Sequence, residues 1–208
     1  MGDEFFQLSA KYRKMVAEFV SRGEYEKAAF VCLKLLQEPL SAAKTLEAGE
    51  LYSQAAAIYE EHCKDLNKAA ECYEKGKMFE KAVDLYNELE EFEKAGDLYQ
   101  LLYRFKESEA AYLRAAKVFL RKNNYLEGAR VYQEKLEDSD LSRSTLYLGW
   151  QNNYQAYRSL SKYLDYFPEL EVKRTEFERI YREDVGPVRA KVFLDVVIKE
   201  YQKGNELA

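Results

Sequence analysis

At 208 residues and a net charge of −5, the chain lacks the basic footprint that a general nucleic-acid binder uses to release counterions from phosphates. Its 33% charged and 47% hydrophobic residues fit helices that each bury one stripe. No uninterrupted apolar run approaches a membrane span, since even Ala28 to Leu36 is broken by Lys34, and no basic-then-apolar leader opens the chain.

Residues 2 to 7 are expected to be a frayed lead-in, with Phe5 and Phe6 placed to fold onto the first helix. Met1-Gly2 begins like a myristoylation motif, but Phe6 stands where that motif needs Ser or Thr, so no lipid anchor is expected. From Ser9 to Arg22, the residues Tyr12, Met15, Val16, Phe19 and Val20 form one stripe, which Gly23 stops. A second helix carries Tyr25, Ala28, Cys32 and Leu35. Pro39 suits a first helical turn and starts a third helix through Ala43 and Leu46, closed by Gly49. The next holds Tyr52, Ala55 and Tyr59 and ends near Glu61 to Cys63.

The most regular stretch runs from Leu66 to Tyr112, where one phrase recurs four times at a thirteen-residue step. Its copies are Leu66–Ala69–Tyr73, Phe79–Ala82–Tyr86, Phe92–Ala95–Tyr99 and Phe105–Ser108–Tyr112. A large apolar residue at i, a small one at i+3 and Tyr at i+7 share one face of an α-helix. Fixed-period self-similarity implies short helices that bury their apolar faces only by stacking. The small residue admits a neighbouring helix, and the Tyr fills a groove while its hydroxyl seeks a polar partner.

The fourth copy continues through Ala115, Ala116 and Phe119 to about Arg121, and Asn123-Asn124 precede a helix with Tyr125, Gly128 and Tyr132. Beyond Asp138 the rhythm weakens. Leu141 to Trp150 reads as helical, and Tyr154, Tyr157, Leu160 and Leu164 outline another helix that Phe167-Pro168 ends. Glu169 to Glu183 is predicted helical with Leu170, Phe177, Ile180 and Tyr181 inward. Outside lie the pairs Arg174/Glu178, Glu178/Arg182 and Arg179/Glu183, each a surface support of ~0.2–0.5 kcal/mol. After Gly186-Pro187, the helix from Val188 to about Lys203 is apolar on two faces, so it is either buried or met by a partner.

The phrase Phe79-Glu-Lys-Ala82-Val-Asp-Leu-Tyr86 and its sisters, with Tyr25 to Cys32, Tyr52 to Tyr59 and Tyr125 to Tyr132, resembles the second helix of a tetratricopeptide repeat. The likeness covers roughly residues 9 to 136. The family's first-helix phrase with Trp, Leu-Gly and Tyr is missing and the step is shorter than a full repeat. That short-helix spacing is similar to the arrays of soluble NSF-attachment proteins, coat proteins and transport-particle subunits. The resemblance implies an all-α fold, an α-solenoid of antiparallel helix pairs wound as a right-handed superhelix, that binds proteins. No peptide-clamp residue carries over, because clamps lie on first helices.

Four cations, Arg114, Lys117, Arg121 and Lys122, form the sharpest local feature, and no acid lies between Ala110 and Leu126. They read either as a dock for an acidic or phosphorylated segment or as an ordinary solvated face near a helix C-terminus. Tyr103, Trp150, Tyr163 and Tyr166 fall outside the repeat's packing positions. Exposed in a groove, these four would anchor a partner helix or peptide; buried, they knit the irregular C-terminal helices together. Cys32, Cys63 and Cys72 are odd in number and have no C-x-x-C spacing, and His62 is the single histidine. Neither a disulfide framework nor a metal site is expected, and catalysis has no Ser-His pair or phosphate loop to use. The eighteen Tyr and eleven Phe stand mostly at packing positions, which favours core over base stacking.

The expectation is therefore a repeat array over residues 1–138, with helices of 139–208 continuing or capping it. Its expected role is a non-catalytic, cytoplasmic scaffold for a protein or peptide partner, without nucleic acid, membrane insertion or cofactor. Self-association through the C-terminal helix is one outlet. The alternative is a recruiting or regulatory module of a larger enzyme or transport assembly.

Overall fold

The computed structural model describes residues 2–206 and the side chains of residues 6–203. Every regular element among them is helical. The chain forms two compact units, residues 1–108 and 109–208, divided inside helix α8 (Phe105–Arg121). The first unit holds α1 (Gly2–Ser21), α2 (Tyr25–Phe30), α3 (Pro39–Ala48), α4 (Tyr52–Ile58), α5 (Leu66–Lys75), α6 (Phe79–Glu88) and α7 (Phe92–Leu101). From α1 to α7, each helix packs on the next in sequence.

The thirteen-residue step is ten helical residues plus a three-residue turn. In each turn the middle residue is left-handed: Lys77 at φ 59°, Glu90 at 58° and Tyr103 at 58°. After α5, the Lys77 N–H donates to Glu74 O at 2.9 Å and the Met78 N–H to Tyr73 O at 2.8 Å, which closes the helix in a Schellman motif. These residues are not Gly, so each turn carries a cost of about 1 kcal/mol that its two bonds and the docking of the next helix offset.

Where the step is fourteen, one extra residue is absorbed at the helix end. The helices begun by α2 and α4 run on as single π-type turns, Val31–Leu35 and Tyr59–Cys63. The closing N–H groups of Glu38 and Asp65 then reach six residues back, to Cys32 O and Tyr59 O, at 2.9 Å each. Asp65 goes on to cap α5, its carboxylate accepting from the Lys68 N–H at 3.0 Å. Residue spacing that looks irregular in sequence therefore leaves the packing face in register.

That face is built on small side chains. Ala28, Ala42, Ala55, Ala69, Ala82, Ala95 and Ser108 are at most 1% exposed. Ser108, the one polar member, donates its hydroxyl to Gly96 O at 2.9 Å. Around each crossing a tyrosine links neighbours by one rule. The residue following the i+7 position of one helix pairs with the Tyr hydroxyl of the next. Thus Tyr59 donates to Glu47 at 3.3 Å, Tyr73 to Glu60 at 2.9 Å and Tyr86 to Glu74 at 2.7 Å, while Asn87 donates to Tyr99 at 3.5 Å. The following helix covers the ring with a cation: Lys81 lies 5.0 Å from the Tyr73 centroid and Lys94 5.1 Å from that of Tyr86.

The second unit continues past α8 with α9 (Tyr125–Glu134), α10 (Ser139–Gln151), α11 (Ala156–Leu164), α12 (Leu170–Glu183) and α13 (Pro187–Glu206). The repeat reaches further than the sequence rhythm indicates. Gly128 in α9 and Ser142 in α10 take the small position, and Ser142 Oγ donates to Ala129 O at 2.8 Å just as Ser108 does to Gly96. Helix α10 packs on both α9 and α11 and is tightest at Gly149, where an added Cβ would lie 2.8 Å from both Tyr125 Cβ and Ser159 Oγ. Trp150, Leu160, Leu164, Ile180, Phe193 and Val196 fill this unit's core.

Four expectations change. Residues 2–7 belong to α1 rather than to a lead-in, with Phe6 exposed and the Phe5 side chain outside the described set. Helix α11 starts at Ala156, not Tyr154, because Asn153 and Gln155 are both left-handed, at φ 59° and 48°. Phe105 is exposed although Phe92 at the same phrase position is buried. In α12 only Ile180 is fully buried; Leu170 and Tyr181 face outward, since they sit about a quarter-turn from the Ile180 direction.

The tyrosine hydroxyls make the first unit sensitive to alkali. Burial, then the hydrogen bond to Glu60, pushes the Tyr73 phenol up to about 12, and burial raises Tyr59 and Tyr86 as well. A free phenol ionises near 10, so the unfolded chain releases these protons first. Stability is whole below about pH 10 and is lost as pH climbs through the folded values. Titration followed together at 295 nm and 222 nm is expected to show a set of tyrosines that ionise only as helix is lost; complete ionisation near pH 10 with helix intact would refute the buried-phenol contact.

Candidate functional site

Helix α8 runs for 17 residues between the turns at Tyr103 and Asn123, with no Gly, Pro or Asn within Phe105–Arg121. Its buried side is Ala111, Tyr112, Ala115, Ala116 and Val118. Opposite, at i, i+3 and i+7, stand Arg114, Lys117 and Arg121, and Lys122 follows in the turn; all four are exposed. The Asn124 side chain accepts from the Glu127 N–H at 3.5 Å and starts α9. The face thus lies at a helix C-terminus, where cations meet the negative end of the dipole.

In the same unit, α9, α10, α11 and the turn after α11 line an open pocket of about 280 Å³. Leu126, Ala129 and Leu146 form an apolar floor, with Arg130, Glu134, Lys162 and Asp165 among the charged walls. Its inner edge is fixed by Tyr166, whose hydroxyl lies 2.8 Å from both Gln133 Oε1 and Ser142 Oγ. Arg130 is held by Glu127 at 2.7 Å and Glu134 at 3.2 Å. The Ser142 proton is engaged by the Ala129 carbonyl, and neither His nor Cys lines the wall. Such a lining offers ionic and apolar contacts to a bound group.

The other singled-out residues divide. Tyr103 is 81% exposed and meets Phe105 edge-on at 6.2 Å, so with exposed Leu101 it makes an apolar knob on the first unit. Trp150 is 0% exposed, which removes it from any partner surface: its ring sits 6.3 Å from Phe193 and under the Arg189 guanidinium at 5.7 Å. Tyr163 is buried and Tyr166 half-buried. His62 is exposed in the π-type turn, and Cys32 and Cys72 are buried, where burial pushes both thiols up, Cys72 to about 11. Among the described residues no cluster of three or more His, Cys, Asp or Glu is placed for a metal ion, and no helix is long and apolar enough to cross a membrane.

One network escaped the sequence reading. Arg179, expected only as the surface partner of Glu183, joins three helices. It reaches Glu176 at 2.6 Å and Glu183 at 2.8 Å and lies 5.0 Å from the Tyr147 centroid. The Tyr163 hydroxyl donates to Glu176 at 2.6 Å, the Tyr147 hydroxyl donates to Asp184, and the Tyr147 and Tyr163 rings are 4.8 Å apart. Burial alone would raise the Glu176 carboxyl, but Arg179 and Tyr163 outweigh it and hold it below the usual range. Burial, then Glu176, pushes Tyr163 up to about 12. The i,i+4 spacing displayed Arg179 and Glu183; Tyr147 and Tyr163, on the two preceding helices, left no local trace.

Compared with protein-family models, curated proteins and solved structures, the chain matches none. The network yields a stability contrast. Arg179→Ala strands partly buried acids and is expected to cost ~1–3 kcal/mol in urea unfolding, whereas Arg174→Ala, which breaks only an exposed 3.6 Å pair with Glu178, is expected to cost under ~0.5 kcal/mol. Equal costs would place Arg179 back among the surface pairs.

Proposed function

We propose that the chain is a non-catalytic interaction scaffold of the tetratricopeptide-like kind: an α-solenoid wound as a right-handed superhelix, acting in the cytoplasm and docking an acidic or phosphorylated protein segment on the outer face of α8. The observation that carries this reading is Arg114, Lys117, Arg121 and Lys122 exposed on a single helical face, in a stretch without acids, on a chain of net charge −5. Elsewhere the negative surplus repels an acidic segment, so attraction is local. Guanidinium groups at Arg114 and Arg121 suit bidentate contact with carboxylate or phosphate, and Lys117 between them and Lys122 after them add unspecific attraction.

Consecutive packing of short helices through small residues supports the scaffold half of the reading, because it fixes side chains in space without needing a fold change on binding. The exposed Tyr103 and Phe105 give the first unit a separate aromatic anchor of the sort that dominates interfaces.

Fluorescence anisotropy with a labelled Glu/Asp-rich dodecapeptide and its phosphoserine counterpart tests the proposal. Binding is expected to fall with salt and to weaken about tenfold or more in Lys117→Glu/Lys122→Glu, and further when Arg121→Glu is added. The lysine reversals should move the folding free energy by no more than about 0.5 kcal/mol, as surface changes do. No binding by the unaltered chain, or binding indifferent to the reversals, overturns it.

A further inference from the structure

We infer that the outer face of the α12–α13 hairpin is a two-fold interface with a second copy of this chain. This goes beyond the basic face of α8 and does not depend on it. The hairpin turns at Gly186-Pro187, and α13 is apolar over two adjoining arcs. The inner arc, Phe193 and Val196, is in the core, together with the buried carboxylate of Glu200. Lys173 and Lys203 neutralise that carboxylate at 2.8 and 2.6 Å and outweigh its burial, so no uncompensated charge underlies the surface. The outer arc is Leu194, Val197, Ile198 and Tyr201, spaced i, i+3, i+4 and i+7.

Helix α12 extends the same strip. Leu170, Phe177, Val197 and Tyr201 line one groove of about 340 Å³, and Tyr181 stacks 6.1 Å from Phe193 at its other end. Leu170, Tyr181, Leu194, Ile198 and Tyr201 are 54–71% exposed. Together they leave on the order of 600 Å² of mostly apolar surface, at the top of what a monomer's largest patch usually reaches, and near one partner's share of a small stable interface.

The charges beside the strip select the occupant. Lys191, Asp195 and Lys199 follow one another at i+4 along one edge of α13. In a pair running the same way, each would meet its own like charge. In an antiparallel two-fold pair crossing at Val197, Asp195 meets Lys199 of the second copy, twice, and Ile198 packs beside the second Val197. Leu194 then lies beside Tyr201 of the second copy. The strip is thus complementary to itself in one orientation.

Sedimentation equilibrium of the full chain from about 1 to about 100 µM is expected to show a reversible monomer–dimer equilibrium. Leu194→Asp/Ile198→Asp should abolish the dimer while helix content and melting stay unchanged, both sites being exposed. Asp195→Lys and Lys199→Asp should each raise the dimer dissociation constant about tenfold, and the two together should restore it to within about threefold. Because Lys199 also covers the Tyr157 ring at 5.3 Å, melting is recorded for that variant alongside. A monomer throughout, a dimer indifferent to the aspartates, or a charge reversal that fails to rescue overturns the inference.

Discussion

The close crossing of neighbouring helices at a small buried side chain is the constraint on which the rest depends. Ala69, Ala82 and Ala95 have no solvent exposure. A larger group there would push the axes apart, and the tyrosine hydroxyls would no longer span to Glu60, Glu74 and Asn87. The lysines above the rings and the left-handed turns between helices follow from the same distance. From α5 to α7, ten helical residues and a three-residue reversal return the chain to the partner's face each time. A stack of this kind has local contacts only, so its stability accumulates from one crossing to the next.

Much of the first unit was legible in sequence because its contacts repeat. Phe79–Ala82–Tyr86 and its sisters name the helix, the crossing and the large ring, and a Gly or an Asn pair often marks the stop. The polar partner of each hydroxyl was also written there, immediately after the preceding i+7 residue, but nothing in the period says that this residue is the partner. The π-type turns were visible only as an extra residue before Leu66, and the left-handed residues Lys77, Glu90 and Tyr103 were invisible, since none of them is the Gly or Asn that ordinarily marks such a turn. The four exposed cations of α8 were readable from the 3.6-residue period, whereas burial of Trp150 was not, because it depends on Phe193 and Arg189, about forty residues on.

In the second unit the repeat survives through Ser142 and then gives way to larger side chains and long-range polar ties. Tyr147, Tyr163, Glu176 and Arg179 do by specific partnership what alanine crossings do by proximity. Such ties hold α10, α11 and α12 together, while Leu194, Ile198 and Tyr201 on the outer arc of α13 stay exposed. A basic face on one helix and an apolar strip on a hairpin are different chemistries carried by one compact unit.

The crossing contact is tested most directly by Ala82→Leu, measured against Ala48→Leu, the same change at an exposed helical site, in urea unfolding. The account predicts that Ala82→Leu costs ~1–3 kcal/mol or more while Ala48→Leu stays within ~0.5 kcal/mol of the unaltered chain. Equal stability of the two variants would contradict it, because the helices would then not be set by contact at that residue.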